Sequence, residues 1–234
     1  MSQEYIRQYK TISIDKPAID MPLYDDFEDT LLKWTISKVN SSGGATRDTT
    51  AANKGGASLK LDTGATTPTT NDNVTISRTF GQVNSNIIAA SLRFSIQISG
   101  FIGFLWEKVY ITNPATSKQY AIGVQYRATA STIYLEYMSD LGNYSNPDTY
   151  TTIASKVTDS IYNKFLEMKI VADINKGEYL YAIFNGKRYN LTGIKLPSQN
   201  ADLDTPNQML IRAQTNAPAE VIIRIDDVLV ATEG

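Results

Sequence analysis

The chain has 234 residues and a formal net charge of -2, from 22 Lys and Arg against 24 Asp and Glu, and it contains neither Cys nor His. Without these two residues there are no disulfides, no thiolate nucleophiles, no Ser-His or Cys-His catalysis and no imidazole metal ligands. Since phosphate binding needs a clustered basic face, which we do not find, we expect no nucleic-acid partner. The sequence shows no secretory signal and no run near the roughly 18 apolar residues of a membrane span, so we also expect no membrane association.

Residues 1–22 predict an extended N-terminal arm. Pro17 and Pro22 disfavour a helix and bias the residues before them toward extended backbone. Two interpretations remain open: a terminus that lies on its own domain, or an assembly arm whose short strand docks onto the sheet edge of a neighbouring subunit. The apolar side chains available for assembly are Tyr5, Ile6, Tyr9, Ile12 and Ile14.

Residues 23–234 predict a single all-β domain. Segments such as Ile88–Ile98 and Tyr120–Tyr126 alternate apolar and polar residues with the period of a half-buried strand. No window sustains the spacing of an amphipathic helix, and turn signals separate about a dozen short strands. This pattern favours two packed antiparallel sheets.

The clearest local signal is a pair of hairpins in residues 163–191. The first strand places Leu166, Met168, Ile170, Ala172 and Ile174 on one face and ends at the turn Asn175-Lys176-Gly177. The next turn, Asn185-Gly186, suits a two-residue type I′ hairpin. Its geometry predicts that Phe184 pairs with Lys187, Ala182 with Tyr189 and Leu180 with Leu191, with Leu180, Ala182 and Phe184 facing the core.

The order of four motifs resembles the concanavalin A-like jelly-roll superfamily of lectins, laminin-G-like domains and carbohydrate-binding modules. The motifs are the opening DDFED with Trp34 soon after it, then SLKL, then FLEMKIVADINKGEYLYAIFNGKRY, and the closing IDDVLV. In that superfamily an Asp, a Gly-containing turn and an Asn-Gly pair recur before the last strands, and here they match Asp173, Gly177 and Asn185-Gly186. The resemblance covers about residues 23–230 and implies a two-sheet antiparallel jelly-roll sandwich.

A metal site is one expectation that follows from this resemblance. The first and last strands of a jelly roll often lie side by side, and similar carbohydrate-binding modules hold a structural calcium near an opening Glu and a closing Asp. Carboxylate oxygens are the ligands that Ca²⁺ prefers. The candidate ligands for a structural Ca²⁺ are Asp26, Glu28, Asp226 and Asp227. The alternative is that one of the last two faces water and the other caps a turn, because strand alternation sends them to opposite faces.

A glycan site is the second expectation, since sugar binding needs aromatic platforms with polar groups beside them. The chain contains 14 Tyr residues. The candidates for glycan binding are Tyr120, Tyr126, Tyr134 and Tyr144. Tyr also packs well on strands and at subunit interfaces, which is the competing interpretation for most of them.

We expect no enzymatic activity. Jelly-roll glucanases of this superfamily carry Glu-x-Asp-x-x-Glu on one strand, and this chain has no such run. Our first hypothesis is a structural protein of a phage or viral virion, such as a decoration, tail or fibre component, whose partners are itself or other virion subunits. The alternative is a carbohydrate-binding module with a structural calcium. Either role predicts a virion or extracellular location.

Overall fold

A computed structural model describes residues 21–29, 33–52, 55–64, 71–83, 85–96, 103–129, 132–142, 148–155, 164–202 and 204–233. Within these ranges the regular structure is entirely β, as the sequence predicts. Over the same ranges no helix has the length and apolar character needed to cross a membrane. The predicted arm, including Tyr5, Ile6, Tyr9, Ile12 and Ile14, lies outside the described residues.

In the described part of the chain, sixteen strands form two antiparallel sheets of eight strands each, which confirms the predicted sandwich. Sheet I follows the order β13-β12-β11-β6-β16-β4-β3, with β1 also paired to β16. Its strands are β1 (Leu23–Asp25), β3 (Gly44–Asp48), β4 (Ser58–Asp62), β6 (Ile87–Ile96), β11 (Leu166–Asp173), β12 (Glu178–Phe184), β13 (Lys187–Asn190) and β16 (Ile222–Thr232).

Sheet II follows the order β10-β9-β8-β7-β15-β5-β2, and β14 pairs with β8. Its strands are β2 (Thr35–Val39), β5 (Asn73–Phe80), β7 (Gly103–Asn113), β8 (Lys118–Ala128), β9 (Ile133–Asp140), β10 (Thr149–Ser155), β14 (Ser198–Asn200) and β15 (Asn207–Thr215).

The core lies between the two sheets and is built by strict alternation along the strands. On β7, Leu105, Val109 and Ile111 are buried in it, and on β8 the even-numbered residues from Tyr120 to Tyr126 face the same way. Intervening residues therefore lie on the outer faces of the sheets. This alternation defines which side chains of sheet II are available for binding.

The predicted hairpins are present, with one difference in register. Ala182 pairs with Tyr189 and Phe184 with Lys187, and both residues of the Asn185-Gly186 turn have positive φ, as a type I′ turn requires. A bulge in the β11–β12 ladder, however, makes Leu180 an extra residue on its strand. Tyr179 therefore enters the core, whereas Leu180 is only half-buried.

Candidate functional site

The first and last strands lie side by side, as expected for a jelly roll. β1 pairs with β16 through Leu23 and Val230, Tyr24 and Leu229, and Asp25 and Val228. The β16–β6 ladder is irregular between Ile225 and Val228, so both Asp226 and Asp227 are buried. The expectation that one of this pair faces water is therefore wrong.

Two carboxylates near this junction, Asp227 and Glu28, contact protein donors. Arg93 Nη1 lies 3.2 Å from Asp227 Oδ2, and the Tyr24 hydroxyl lies 3.4 Å from Asp227 Oδ1. Glu28 Oε1 accepts hydrogen bonds from the backbone N–H groups of Gly56 at 2.9 Å and Ala57 at 3.0 Å. These contacts hold the loop before β4 against the start of the domain.

The four predicted calcium ligands do not form one site. Asp26 Oδ1 accepts a hydrogen bond from the Glu28 backbone N–H at 3.3 Å, which ties it to its own loop. Among the described residues, no group of three or more Asp, Glu, His or Cys side chains is arranged to hold a metal ion. The geometry therefore gives no support to a calcium site made by Asp26, Glu28, Asp226 and Asp227.

Two of the predicted glycan-binding tyrosines are core residues. Tyr126 is fully buried, and its ring stacks on Phe184 with centroids 5.8 Å apart. Tyr120 is also buried, and its ring lies under Gly177 at the first hairpin turn. The prediction of glycan platforms at Tyr120 and Tyr126 is wrong, because even-numbered residues of β8 face the other sheet.

The other two predicted tyrosines have different outcomes. Tyr134 is half-buried on the outer face of sheet II, where the Arg127 guanidinium lies 4.0 Å from its ring centroid. It stays a candidate for glycan contact. Tyr144 lies outside the described residues.

The outer face of sheet II carries five half-buried aromatic side chains, and we call it the aromatic face. They belong to three strands and alternate with core residues of the same strands. The rings of Phe104 and Trp106 are tilted against each other, with centroids 6.1 Å apart. The set is Phe104, Trp106 and Tyr110 from β7, Tyr134 from β9 and Tyr150 from β10.

One row of side chains crosses this face from edge to edge. Strand register places its members opposite one another, so all seven point to the same side of the sheet. Arg212 and Trp106 are direct neighbours in this row, and Trp106 is next to Gln125. The row consists of Ser37, Thr75, Arg212, Trp106, Gln125, Glu136 and Thr152.

Trp106 is the centre of the aromatic face. Its ring stacks against Tyr150 with centroids 5.8 Å apart, and the Arg212 guanidinium carbon lies 4.7 Å from its centroid. Two strands, β8 and β9, separate Trp106 from Tyr150, so both rings lean over the middle of the sheet. Gly123 lies in that middle and has no side chain to cover it. A Cβ at this position would lie only 3.1 Å from Met138 Cβ.

Two polar atoms of this pair are buried without hydrogen bonds. Trp106 Nε1 and the Tyr150 hydroxyl have no partner among the described residues. Burial raises the pKa of Tyr150, with a smaller contribution from the negative charge of Asp148. Buried polar groups without partners are rare in folded proteins and recur at functional sites.

The acidic groups of the face are neutralised by neighbouring cations. Glu136 accepts hydrogen bonds from Gln125 at 2.6 Å, from Arg127 at 2.5 and 2.9 Å and from Thr152 at 3.1 Å. Its carboxylate is thus fully used in holding β8, β9 and β10 together.

Asp148 forms an ion pair with Lys108 and accepts a hydrogen bond from the Gly142 backbone N–H at 2.9 Å. Both partners are largely buried. This contact fixes the end of the loop before β10 against β7, next to the aromatic residues.

Sequence reasoning missed Trp106 and Arg212, and one signal could have located Trp106. On β7 one alternating set is Leu105, Glu107, Val109 and Ile111, and the other is Phe104, Trp106, Lys108 and Tyr110. The aliphatic set packs in the core, so the aromatic set must face outward.

No protein-family model and no curated protein sequence matches the chain. Solved structures do. A carbohydrate esterase of the Shiga toxin-encoding bacteriophage phi24B superposes with a TM-score of 0.60 and 12% identity, covering 93% of this chain and 100% of the other. An endo-β-1,4-glucuronan lyase from the fungus Trichoderma reesei superposes with a TM-score of 0.59 and 13% identity, covering 92% of this chain and 96% of the other.

A third match is the CBM2 module of the evolved Dit protein of Lactobacillus casei BL23 phage J-1, with a TM-score of 0.53 and 10% identity, covering 92% of this chain and 96% of the other. A carbohydrate recognition domain and a legume lectin-like domain also match. The chain has the concanavalin A-like jelly-roll fold. This confirms the resemblance inferred from the sequence, and at these identities the likeness extends to the fold alone.

Proposed function

We propose that the chain is a non-catalytic carbohydrate-binding domain and that its glycan site is the aromatic face of sheet II. The observation that carries the proposal is the contact of Trp106 with Tyr150 and Arg212 on the outside of the sheet. Core packing does not require aromatic side chains there. Ligand sites combine such apolar ring surface with a few fixed polar groups, which Arg212 and Gln125 supply.

The fold neighbours are consistent with this role. A carbohydrate esterase, a glucuronan lyase and a phage CBM2 module share the fold, and each name refers to carbohydrate. The fold alone does not carry function, so the proposal depends on the aromatic face.

The absence of catalysis is part of the proposal. Glycoside hydrolysis needs one carboxyl group that donates a proton and a second that acts as base or nucleophile. Glu136 is held by four hydrogen bonds, and Asp148 is paired with Lys108. A carboxylate held in this way is poorly suited to either task.

Affinity electrophoresis in gels containing soluble polysaccharides tests the proposal. The intact chain is expected to be retarded by at least one polymer, and Trp106→Ala is expected to weaken binding roughly 10- to 100-fold, as truncation of a central aromatic contact does. Reducing-sugar release from the bound polymer is expected to be zero.

Tyr181→Ala is the matched control. Tyr181 is a half-buried aromatic residue of sheet I with an arginine, Arg188, 3.7 Å from its ring centroid. It therefore resembles Trp106 in its contacts but lies on the opposite side of the sandwich. Equal loss of retardation in both variants, or no retardation of the intact chain by any polymer, would contradict the proposal.

A structural component of a phage or viral particle is the second candidate, and the edge strand β2 favours it. All five residues of β2 are exposed, including the apolar Ile36 and Val39. An exposed apolar edge strand is a ready site for strand addition by another chain. A phage origin of two fold neighbours is in keeping with this role and with a virion or extracellular location.

Light scattering of the intact chain, of residues 23–234 and of Ile36→Lys tests this candidate. The intact chain is expected to assemble, and both changes are expected to give monomers, since a lysine on an edge strand opposes pairing. Assembly that persists in both variants after dilution would remove the candidate.

A further inference from the structure

Arg212 is a cation on the aromatic face that has no carboxylate partner among the described residues. Its Nε donates a hydrogen bond to Thr75 Oγ1 at 2.8 Å, and its guanidinium packs over Trp106. These contacts fix the direction of the side chain, and neither of them is with a carboxylate. Burial lowers the pKa of Arg212, although the negative charge of Asp148 nearby acts in the opposite direction.

The two other cations among the described residues of this part of the face are paired with carboxylates. Lys108 is paired with Asp148. Arg127 is paired with Glu136. Arg212 is therefore the cation of the face that stays outside these pairs, among side chains that are mostly aromatic or neutral. Asp140, on the same side of β9, lies exposed at the end of that strand.

A partly desolvated guanidinium fits an anionic ligand better than a neutral one. Its planar fork of N–H donors matches the two oxygens of a carboxylate, and charge-assisted hydrogen bonds are about twice as strong as neutral ones. The aromatic surface beside it suits the apolar face of a sugar ring.

We infer that the aromatic face binds an acidic polysaccharide, with a uronic acid carboxylate on Arg212 and the adjoining sugar rings on Trp106 and Tyr150. The inference rests on the proposed glycan site and specifies its ligand class. Arg212 is the residue that selects acidic over neutral sugars, whereas Trp106 contributes to binding of both.

Matched polymers test the inference. The probes are polygalacturonate and polyglucuronate, each compared with its own methyl ester, which keeps the sugar backbone and removes the charge. The intact chain is expected to bind the acid forms at least ~10-fold more tightly than the esters, the size expected for one charge-assisted contact. Dextran sulfate serves as a probe for charge without a carboxylate and is expected to bind less tightly than the acid forms, because its backbone and the position of its charge differ from those of a uronic acid polymer.

Three variants locate the effect. Arg212→Gln is expected to lower the affinity for the acid forms much more than the affinity for the esters, so that the roughly 10-fold preference for the acid forms is lost. Arg212→Lys keeps the charge but loses the fork, so an intermediate affinity is expected. Arg188→Gln removes an equivalent arginine from the other side of the sandwich and is expected to change nothing. Thermal unfolding of each variant checks that it is folded.

The outcomes separate the inference from the proposed function. Equal affinity for acid and ester, stronger binding of dextran sulfate, or equal losses for both forms in Arg212→Gln overturns the inference. If Trp106→Ala still abolishes binding in those cases, the glycan site itself stands. Binding of neutral polysaccharides alone would likewise overturn the inference and leave the glycan site standing. Absence of binding to every polymer overturns both.

Discussion

At the scale of single residues, Glu107 is the most unusual group in the core. It faces inward between Val124 and Ile211 on the neighbouring strands, is fully buried, and neither of its carboxyl oxygens has a hydrogen-bond partner among the described residues. Burial raises the pKa of Glu107 well above its ordinary value of 4.5. The folded protein therefore keeps a proton that the unfolded chain releases.

This difference predicts a loss of stability as pH rises. The folded state binds more protons than the unfolded state above pH 4.5, so the free energy of unfolding falls as pH increases toward the folded-state pKa of Glu107. The slope is at most about 1.4 kcal/mol per pH unit. We expect Glu107→Gln, which has the same shape and does not titrate, to flatten this dependence between about pH 5 and pH 8.

Urea unfolding at several pH values measures this slope. The chain contains no His, so few other groups titrate in that range. Glu220→Gln is the control. The pKa of Glu220 is also raised, by burial and by the nearby Asp62, but Glu220 lies near the surface. A Glu107→Gln protein with the slope of the unmodified chain would show that Glu107 is ionised in the fold.

The residue scale also shows where sequence reasoning failed. On β8 the apolar set that includes Ile122 and Val124 identified the core face, and Tyr126 belongs to that set. The prediction of a glycan platform at Tyr126 did not take into account that this residue lies on the core face. On β7 each alternating set contains one charged residue, Glu107 or Lys108, so the charge pattern alone could not distinguish core from surface.

At the scale of strands, the side chain of Tyr179 fills a gap in sheet II. The β8–β9 ladder runs from Val124 and Tyr137 to the strand ends and does not continue to Gly123. The Tyr179 hydroxyl reaches across from sheet I, accepts a hydrogen bond from the Gly123 N–H at 3.2 Å and donates one to the Met138 carbonyl at 2.9 Å. One side chain thus replaces a rung of the ladder beneath the aromatic face.

Tyr179→Phe is expected to destabilise the protein by about 1–3 kcal/mol, because it leaves buried backbone groups without partners. Urea unfolding measures this change, and faster hydrogen exchange of the Gly123 amide would locate it. Tyr137→Phe is the matched control, since Tyr137 packs edge-on against Tyr179 and is less buried. Its expected effect is within about 0.5 kcal/mol. Equal effects in the two variants would contradict the bridging role.

The strands themselves were largely predictable, and the exceptions have a physical cause. The Asn185-Gly186 turn determined the pairing of Ala182 and Phe184, because side chains alternate with a fixed period of two. The bulge at Leu180, farther along the same strand, exchanged Leu180 for Tyr179 in the core. A bulge depends on how two strands fit together, so a single sequence carries little sign of it.

At the scale of the whole molecule, the two ends of the domain are joined by strand pairing and by contacts with carboxylates. β1 pairs with β16, and Asp25 accepts hydrogen bonds from Arg78 at 2.9 Å and Trp34 Nε1 at 3.1 Å. Arg93 holds Asp227 in the same region. Of the carboxylates that the sequence suggested as calcium ligands, Asp227 contacts arginine and tyrosine donors, and Asp26 and Glu28 accept hydrogen bonds from backbone N–H groups.

We therefore expect the melting temperature to be the same with calcium and with a chelator. Calcium at a concentration 100 times the dissociation constant of its site would add about 2.7 kcal/mol to the free energy of unfolding. Each kcal/mol shifts the melting temperature of a domain of this size by roughly 2–4 °C. A calcium site would thus be plain in a thermal scan. Asp25→Asn is the positive control, since it weakens the acceptor for Arg78 and should lower the melting temperature in either buffer. A rise of several degrees with calcium, reversed by the chelator, would instead mean that the junction of the first and last strands binds the ion.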